Sequence, residues 1–214
     1  MCGRFAQVYD DAKILNKFRL EDISERIQPK FNMSPGMKVN AVMAEESALK
    51  LKKAEWGFSE INGKPLPSLM VNSRLDTLIN GSFTGRNLIT SRCVIPVSGF
   101  YEWKGCQPYY IYDTSDILCL AGVYVRNNES IRISVVTTDS EDFLKDLHHR
   151  MPLILSGASL SSWLSSDKDT AEKLDLFKNT FPQTLKFHEV TQAVNSAGYE
   201  KDDCIKPLRT NRLF

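Results

Sequence analysis

Cys2 is the residue whose chemistry is most distinctive in this sequence. The chain begins Met1-Cys2-Gly3-Arg4-Phe5. An initiator methionine is removed when a small side chain follows it, so the mature chain is expected to begin at Cys2. An amino-terminal cysteine holds two nucleophiles on adjacent carbons, a thiol and an α-amine. The amine titrates at roughly 7.7–8.0, so a useful fraction is neutral near pH 7. Its ammonium form is expected to lower the thiol pKa. Such a 1,2-aminothiol can cleave acyl groups with its own amine as base, or condense with an aldehyde and close a five-membered thiazolidine.

Three further polar groups sit among apolar neighbours. Asn72-Ser73-Arg74 follows Leu69-Met70-Val71; it reads either as a helix start or as an amide that orients a reacting group beside an arginine that holds a phosphate. Glu102 lies in Gly99-Phe100-Tyr101-Glu102-Trp103-Lys104. It is either an exposed strand residue paired with Lys104, or a carboxyl in a partly apolar pocket with a raised pKa, suited to acid–base work near neutrality. His148-His149-Arg150-Met151-Pro152 could complement a helix dipole or move protons. His188 alternates with Leu185 and Phe187 and is expected to face solvent.

Many short strands and a few short helices must position these groups. Asp10 or Asp11 caps a helix bearing Ile14, Leu15 and Phe18. Leu49 and Leu51 alternate with lysines, then the apolar set shifts phase to Ala54, Trp56 and Phe58, which predicts a bulge. Residues 92–97, 99–104 and 108–112 read as strands. Residues 117–125 read as a strand buried on both faces, and Ile131, Ile133 and Val135 as a half-exposed one. Ser140 is expected to cap a helix bearing Phe143, Leu144 and Leu147, ended or followed by a turn at Pro152. Short helices over 160–164 and 170–177 and a strand over 185–190 complete the pattern. With no regular βαβ alternation, the fold class is α+β, with a mainly antiparallel, barrel-like sheet core and short peripheral helices. A single domain over 1–214 is expected, with 196–214 as a C-terminal tail.

The 214 residues are 42% hydrophobic and 25% charged, which allows a core without staples. No apolar run reaches the roughly 20 residues of a membrane helix, and no secretion signal is evident. With 27 basic against 26 acidic residues, any polyanion partner must be held by local charge. The five cysteines form no CxxC pair, which favours reduced thiols and a cytoplasmic location. Cys93 and Cys119 are expected in the core. Cys or His spacing suited to structural zinc is missing, so no metal or other cofactor is expected.

Seven motifs in order, Met1-Cys2-Gly3-Arg4-Phe5, Phe31-Asn32-Met33-Ser34-Pro35, Trp56-Gly57-Phe58, Asn72-Ser73-Arg74, Arg92-Cys93-Val94-Ile95-Pro96, the Glu102 segment and His148-His149-Arg150-Met151-Pro152, resemble the SRAP family. This is the SOS response-associated peptidase family, whose members are abasic-site processing proteins. The resemblance runs from about residue 2 to 195. It implies that Cys2 attacks the ring-opened aldehyde of an abasic site in single-stranded DNA, replication-fork DNA included, and forms a thiazolidine cross-link that shields the lesion. It further implies that Asn72 positions the amine and sugar. Glu102 would shuttle protons for imine formation and for removal of Met1. His148, chosen over His149 by the family's His-x-Arg-Met-Pro spacing, would be the acid for ring opening and cross-link reversal.

Arg4, Arg74 and Arg150 are the phosphate contacts the resemblance implies, with Arg86 and Arg92 as further candidates, so binding should depend on salt. Pro35, Trp56 and Phe58 could offer faces or wedges to unstacked bases, the alternative for Trp56 being core packing. A monomer without membrane contact is expected. Two departures from the family pattern stand out. Ser73 replaces a frequent alanine, and His149 adds a second imidazole. The competing readings are an amino-terminal-nucleophile hydrolase or peptidase using Cys2, His148 and Glu102, and a DNA-damage sensor that binds without bonding.

Overall fold

The computed structural model describes residues 2–46, 48–61, 63–80, 88–127, 130–165, 177 and 184–208. Met1, Arg86 and nearly all of the helix expected over 170–177 lie outside them. In chain order the first elements are β1 (Phe5–Gln7), α1 (Asp11–Phe18), β2 (Lys30–Met33), β3 (Lys38–Glu45) and β4 (Ala48–Trp56). Next come β5 (Phe58–Ile61), β6 (Lys64–Met70), β7 (Asn72–Arg74), α2 (Leu75–Asn80), β8 (Arg92–Val97) and β9 (Gly99–Lys104). Then follow β10 (Gln107–Asp113), β11 (Leu118–Asn127), β12 (Ser130–Asp139), β13 (Arg150–Pro152), β14 (Ile154–Leu155), α3 (Gly157–Leu164) and β15 (Leu185–Glu189).

Five strands close into a ring, β4-β3-β8-β11-β12 and back to β4, antiparallel except for the closing β12–β4 pair. Strand alternation explains why it closes around a dry centre. Val39, Ala41, Met43, Cys93, Ile95, Val97, Leu118, Leu120, Ile133 and Val135 point to one cluster. The alternate residues Val42, Val94, Cys119, Ala121, Val123 and Val136 pack instead with Ile14 and Phe18 of α1, Leu75 and Leu78 of α2, and Trp163 of α3. The interior is narrow: a Cβ at Gly122 would lie 2.8 Å from the Cys93 Sγ.

The second sheet runs β15-β10-β9-β1-β2, all antiparallel. Phe5, Phe100 and Ile111 on one face join the barrel cluster. Ala6, Tyr101 and Tyr110 on the other pack with Val190, Val194 and Cys204. The Gln7 side chain fastens the two sheets, donating to the carbonyls of Asn40 (3.0 Å) and Pro96 (2.9 Å) and accepting from the Asn40 N–H (2.9 Å).

Asp10 caps α1 by accepting from the Lys13 N–H, as the sequence leads one to expect, and the strands expected over 92–97, 99–104 and 108–112 are present. Four local expectations are corrected. β4 pairs with β3 without a break from Ala48 to Glu55, so it has no bulge. The phase shift arises because both faces of β4 are covered: Leu51 meets the outer layer, Ala54 and Trp56 the barrel centre. β12 is buried through its middle, Ser134 included, rather than half-exposed. The segment after Ser140 is a five-residue 3-10 helix, Asp142–Asp146, preceded by Glu141, and Pro152 belongs to β13. The Phe143 side chain lies outside the described part. His188 packs against Tyr110 and Tyr112, with ring centroids 5.8 and 5.3 Å away, and its Nε2 lies 3.0 Å from the Ile205 carbonyl.

Candidate active site

The site is assembled where β1 meets the barrel. Cys2 is fully buried at the head of β1, its Sγ 4.0 Å from the Arg4 carbonyl oxygen. Three residues on, Phe5 stacks on Trp56 at 4.4 Å. The Trp56 indole N–H donates to the Val71 carbonyl (3.0 Å), which also accepts from the Val135 N–H. This fixes the start of β7, where Asn72 lies opposite Val135 of β12. The Asn72 Oδ1 is buried with no hydrogen-bond partner among the described residues. A buried amide oxygen left in that state is costly, which is what a group reserved for a ligand looks like.

Glu102 lies on β9, next to β1, and shares its face with Phe100, the residue paired with Phe5. It is 4% exposed. Burial pushes its carboxyl up to about 7, against the opposing pull of the positive amino terminus of the unprocessed chain. Burial likewise pushes the Cys2 thiol up, and the Glu102 charge adds to this. The amino terminus and the Arg4 carbonyl act the other way. The lowering by the terminus comes from that of the unprocessed chain, not from the Cys2 amine of the mature one, and it is outweighed by desolvation, because the sulfur has no water to stabilise a thiolate.

His148 is placed by the turn into β13, which pairs with β12 beside β7. Its Nδ1 lies 3.0 Å from the Arg150 N–H and 3.2 Å from the Arg150 carbonyl oxygen, so the Arg150 backbone meets either tautomer of the ring, accepting or donating at Nδ1. Its pKa is lowered by burial, then by the amino terminus, then by His149, whose ring stacks on it at 4.3 Å. One group, the amino terminus, thus acts on Cys2, Glu102 and His148 alike. Glu102 also acts directly on Cys2, although the two are 100 residues apart in sequence.

The residues expected to touch DNA divide sharply. Trp56 and Phe58 have no exposed surface and build the core beneath the site, so they offer no face to a base. Arg150 is buried, donating to Asp139 (2.8 Å) and to the Thr137 carbonyl (2.7 Å) and hydroxyl (3.1 Å). Arg92 is also buried, donating to the carbonyls of Trp163, Ile89 and Ser165. Both guanidiniums are held by the fold rather than offered to phosphate. Arg74 is exposed and bidentate to Asp76 (3.1 and 2.8 Å). Pro35 is half-buried in the Ser34–Met37 turn, which is tied to Trp56 by the Gly36 N–H.

Asn32 is a residue whose part the sequence did not reveal. It is fully buried and gathers Arg4 and three backbone carbonyls; the one signal was a polar residue between Phe31 and Met33. Among the described residues no cluster of His, Cys, Asp or Glu could hold a metal ion, and no helix is long and apolar enough to cross a membrane.

Fold and site together define a barrel protein that carries a buried cysteine at its amino-terminal strand beside a carboxyl poised near neutrality and a neutral imidazole. The sequence pattern of the SOS response associated peptidase (SRAP) family matches residues 1–197, and the chain belongs to that family. It is 27% identical to the abasic site processing protein YoaM of Bacillus subtilis, over 92% of this chain and 93% of that one. It is 26% identical to the abasic site processing protein YedK of Escherichia coli, over 97% and 100%. A protein of Bacteroides thetaiotaomicron of known structure shares the fold, with a TM-score of 0.76 at 21% identity over 96% of this chain and 99% of that one.

Proposed function

We propose that the protein processes abasic sites in single-stranded DNA by covalent capture at Cys2, once Met1 has been removed. The reading is carried by one observation: Cys2 is buried at the head of β1, in electrostatic contact with a carboxyl held at about 7. The relatives' shared description as abasic site processing proteins supports the substrate class.

The steps balance as follows. The neutral Cys2 amine adds to the aldehyde carbon of the ring-opened sugar, and loss of one water gives an imine. The thiol sulfur then adds to the imine carbon, and its proton passes to nitrogen. The product is a five-membered ring with one carbon bonded to both N and S. A carboxyl near 7 is present in both forms at neutral pH. It can take a proton from the amine adduct or thiol and give one to the departing hydroxyl. The raised thiol pKa makes this help necessary, since little thiolate forms unaided. His148, whose pKa is lowered, would donate to the sugar oxygen as the ring opens from the tautomer that carries its proton on Nε2. The Asn72 oxygen, buried without a partner among the described residues, would receive an N–H of the amine. Arg74 supplies the exposed charge for phosphate.

Glu102 also interacts with the amino terminus of the unprocessed chain. That contact supports a second role for the same carboxyl, as base in the removal of Met1.

The test is an electrophoretic one. Protein free of Met1 should yield an adduct with a single abasic strand that survives denaturing gels. Cys2→Ser retains an amine and hence only a reversible imine, and should lose that band. Equal durability in Cys2→Ser would rule out ring closure. A salt-reversible complex with no covalent species would favour a sensor.

A further inference from the structure

Residues 196–208 of the segment expected to be a tail are built into the molecule. Residues 192–195 and 202–205 form 3-10 turns against the outer face of the second sheet, and Val194 and Cys204 are fully buried there. Trp103 of β9 donates to the Asn195 Oδ1 (2.6 Å), and the Asn195 amide donates to the Cys106 carbonyl (3.1 Å). The Glu200 carboxylate accepts from the Phe31 N–H, and Tyr101 Oη donates to the Phe31 carbonyl (2.6 Å).

These contacts converge on Arg4. Its Nη1 donates to the Asn32 Oδ1 (2.7 Å) and to the Val194 carbonyl (2.9 Å). The Asn32 amide in turn donates to the carbonyls of Val194 (3.3 Å), Ser196 (3.0 Å) and Tyr199 (2.8 Å). Through its backbone, the same Arg4 carbonyl accepts from the Tyr101 N–H (2.9 Å) and lies against the Cys2 sulfur. One residue thus joins the C-terminal segment, by its guanidinium, to the sulfur two residues upstream, by its carbonyl.

We infer that Arg4 is a positioning residue for the Cys2 nucleophile, held by Asn32 and the C-terminal segment, rather than a contact to DNA phosphate. The guanidinium is only half-exposed, its Nη1 is engaged by two neutral acceptors, and its Nε is buried with no partner among the described residues. Through its two bonds the guanidinium ties a side-chain amide and a backbone carbonyl that are 162 residues apart. A short three-residue strand carries the reactive terminus, so small shifts at Arg4 pass directly to Cys2. The inference rests on Cys2 being the nucleophile, as proposed above.

The test uses Arg4→Lys in the full chain freed of Met1. Lysine keeps the charge and the reach to a phosphate, but its single ammonium lacks the planar fork that fixes two acceptors at set angles. Two rates are measured. One is single-turnover capture of a single-stranded oligonucleotide with one abasic site, over a range of DNA concentrations and salt. The other is capture of glyoxylate, which forms the same C–N and C–S bonds and releases one water without any DNA. For Arg4→Lys the saturated rate should fall about 10- to 100-fold and glyoxylate capture should fall with it, while the half-saturating DNA concentration stays within about 2-fold.

A raised half-saturation and an altered salt slope, with both rates kept, would mean phosphate contact and overturn the inference. A lowered Tm with both rates unchanged per folded molecule would mean support of the fold alone and also overturn it. If Arg4→Lys does not fold, Trp103→Phe, which removes the bond to Asn195 together with part of the ring packed beside Tyr101, carries the test; a fall of about 2- to 5-fold in both rates is expected, and unchanged rates would overturn the inference. Wild-type protein that captures glyoxylate but not the abasic strand sinks the proposed function, and leaves the comparison of Arg4 variants intact in the glyoxylate arm.

Discussion

Cys2 and Cys93 make an instructive pair. Both belong to the same apolar cluster and both are fully buried. Burial raises both thiols, and for Cys93 burial is the whole cause. Around Cys2 the same desolvation also lifts a carboxyl into the neutral range and is opposed by a positive amino terminus. Burial alone makes a thiol inert. Burial shared with a proton carrier makes a site where protons must be moved by the protein, because water is excluded.

The largest expected difference is between substitutions at these two positions. Cys2→Ser should abolish the denaturation-stable adduct, whereas Cys93→Ala should leave the capture rate within about 2-fold and cost on the order of 1–2 kcal/mol by opening a small void. Gel assays and chemical unfolding separate the two, and an adduct lost in Cys93→Ala would erase the distinction.

Glu102→Gln comes next, with capture slowed by about 10² to 10⁴. Its effect on stability has the opposite sign. The folded carboxyl binds its proton up to about 7, against an ordinary value of 4.5. The folded chain therefore holds the extra proton between those values, and stability falls as pH rises through that window. Above pH 7 the ionised carboxylate costs the fold on the order of 3 kcal/mol, which glutamine avoids. Thermal melts should show Glu102→Gln more stable than wild type at pH 8 and little different at pH 4; a variant less stable at pH 8 contradicts the assignment.

Beneath the site, Trp56→Phe should cost about 1–2 kcal/mol through loss of the bond to Val71 and of packing. Any loss of capture should follow from displacement of Asn72, with DNA affinity little changed. Fluorescence titration on a non-abasic strand checks this, and a selective loss of affinity would restore a stacking role for Trp56. The smallest effect is expected at Arg74. Arg74→Ala should change stability by under about 0.5 kcal/mol and reduce the salt slope of DNA binding by about 0.7. An unchanged slope would remove Arg74 from the interface.

Much of the architecture was legible because strand alternation and turn residues are local signals. The run at 92–97 reads as an apolar strand and that at 117–125 as one buried on both faces, because closure covers both faces of each. The same closure misled at β4, where a strand passing from one core to the other imitates a bulge. The candidate site was legible as residue types, since few side chains can do acid–base work. Which arginines are free was not legible, because Arg150 and Arg92 are claimed by partners such as Thr137 and Trp163 that only the tertiary fold brings near. Nor was Asn32, whose acceptors lie more than 160 positions away.

The central claim is that an amine and a sulfur on one residue capture a sugar aldehyde together. Intact-mass spectrometry of the denatured product of wild-type protein and a single abasic strand tests it most directly. The account predicts, for wild-type protein but not for Cys2→Ser, a denaturation-stable species that has lost Met1 and gained the mass of the strand less one water, mapped to Cys2. A spectrum of Met1-free protein with no added mass would contradict it.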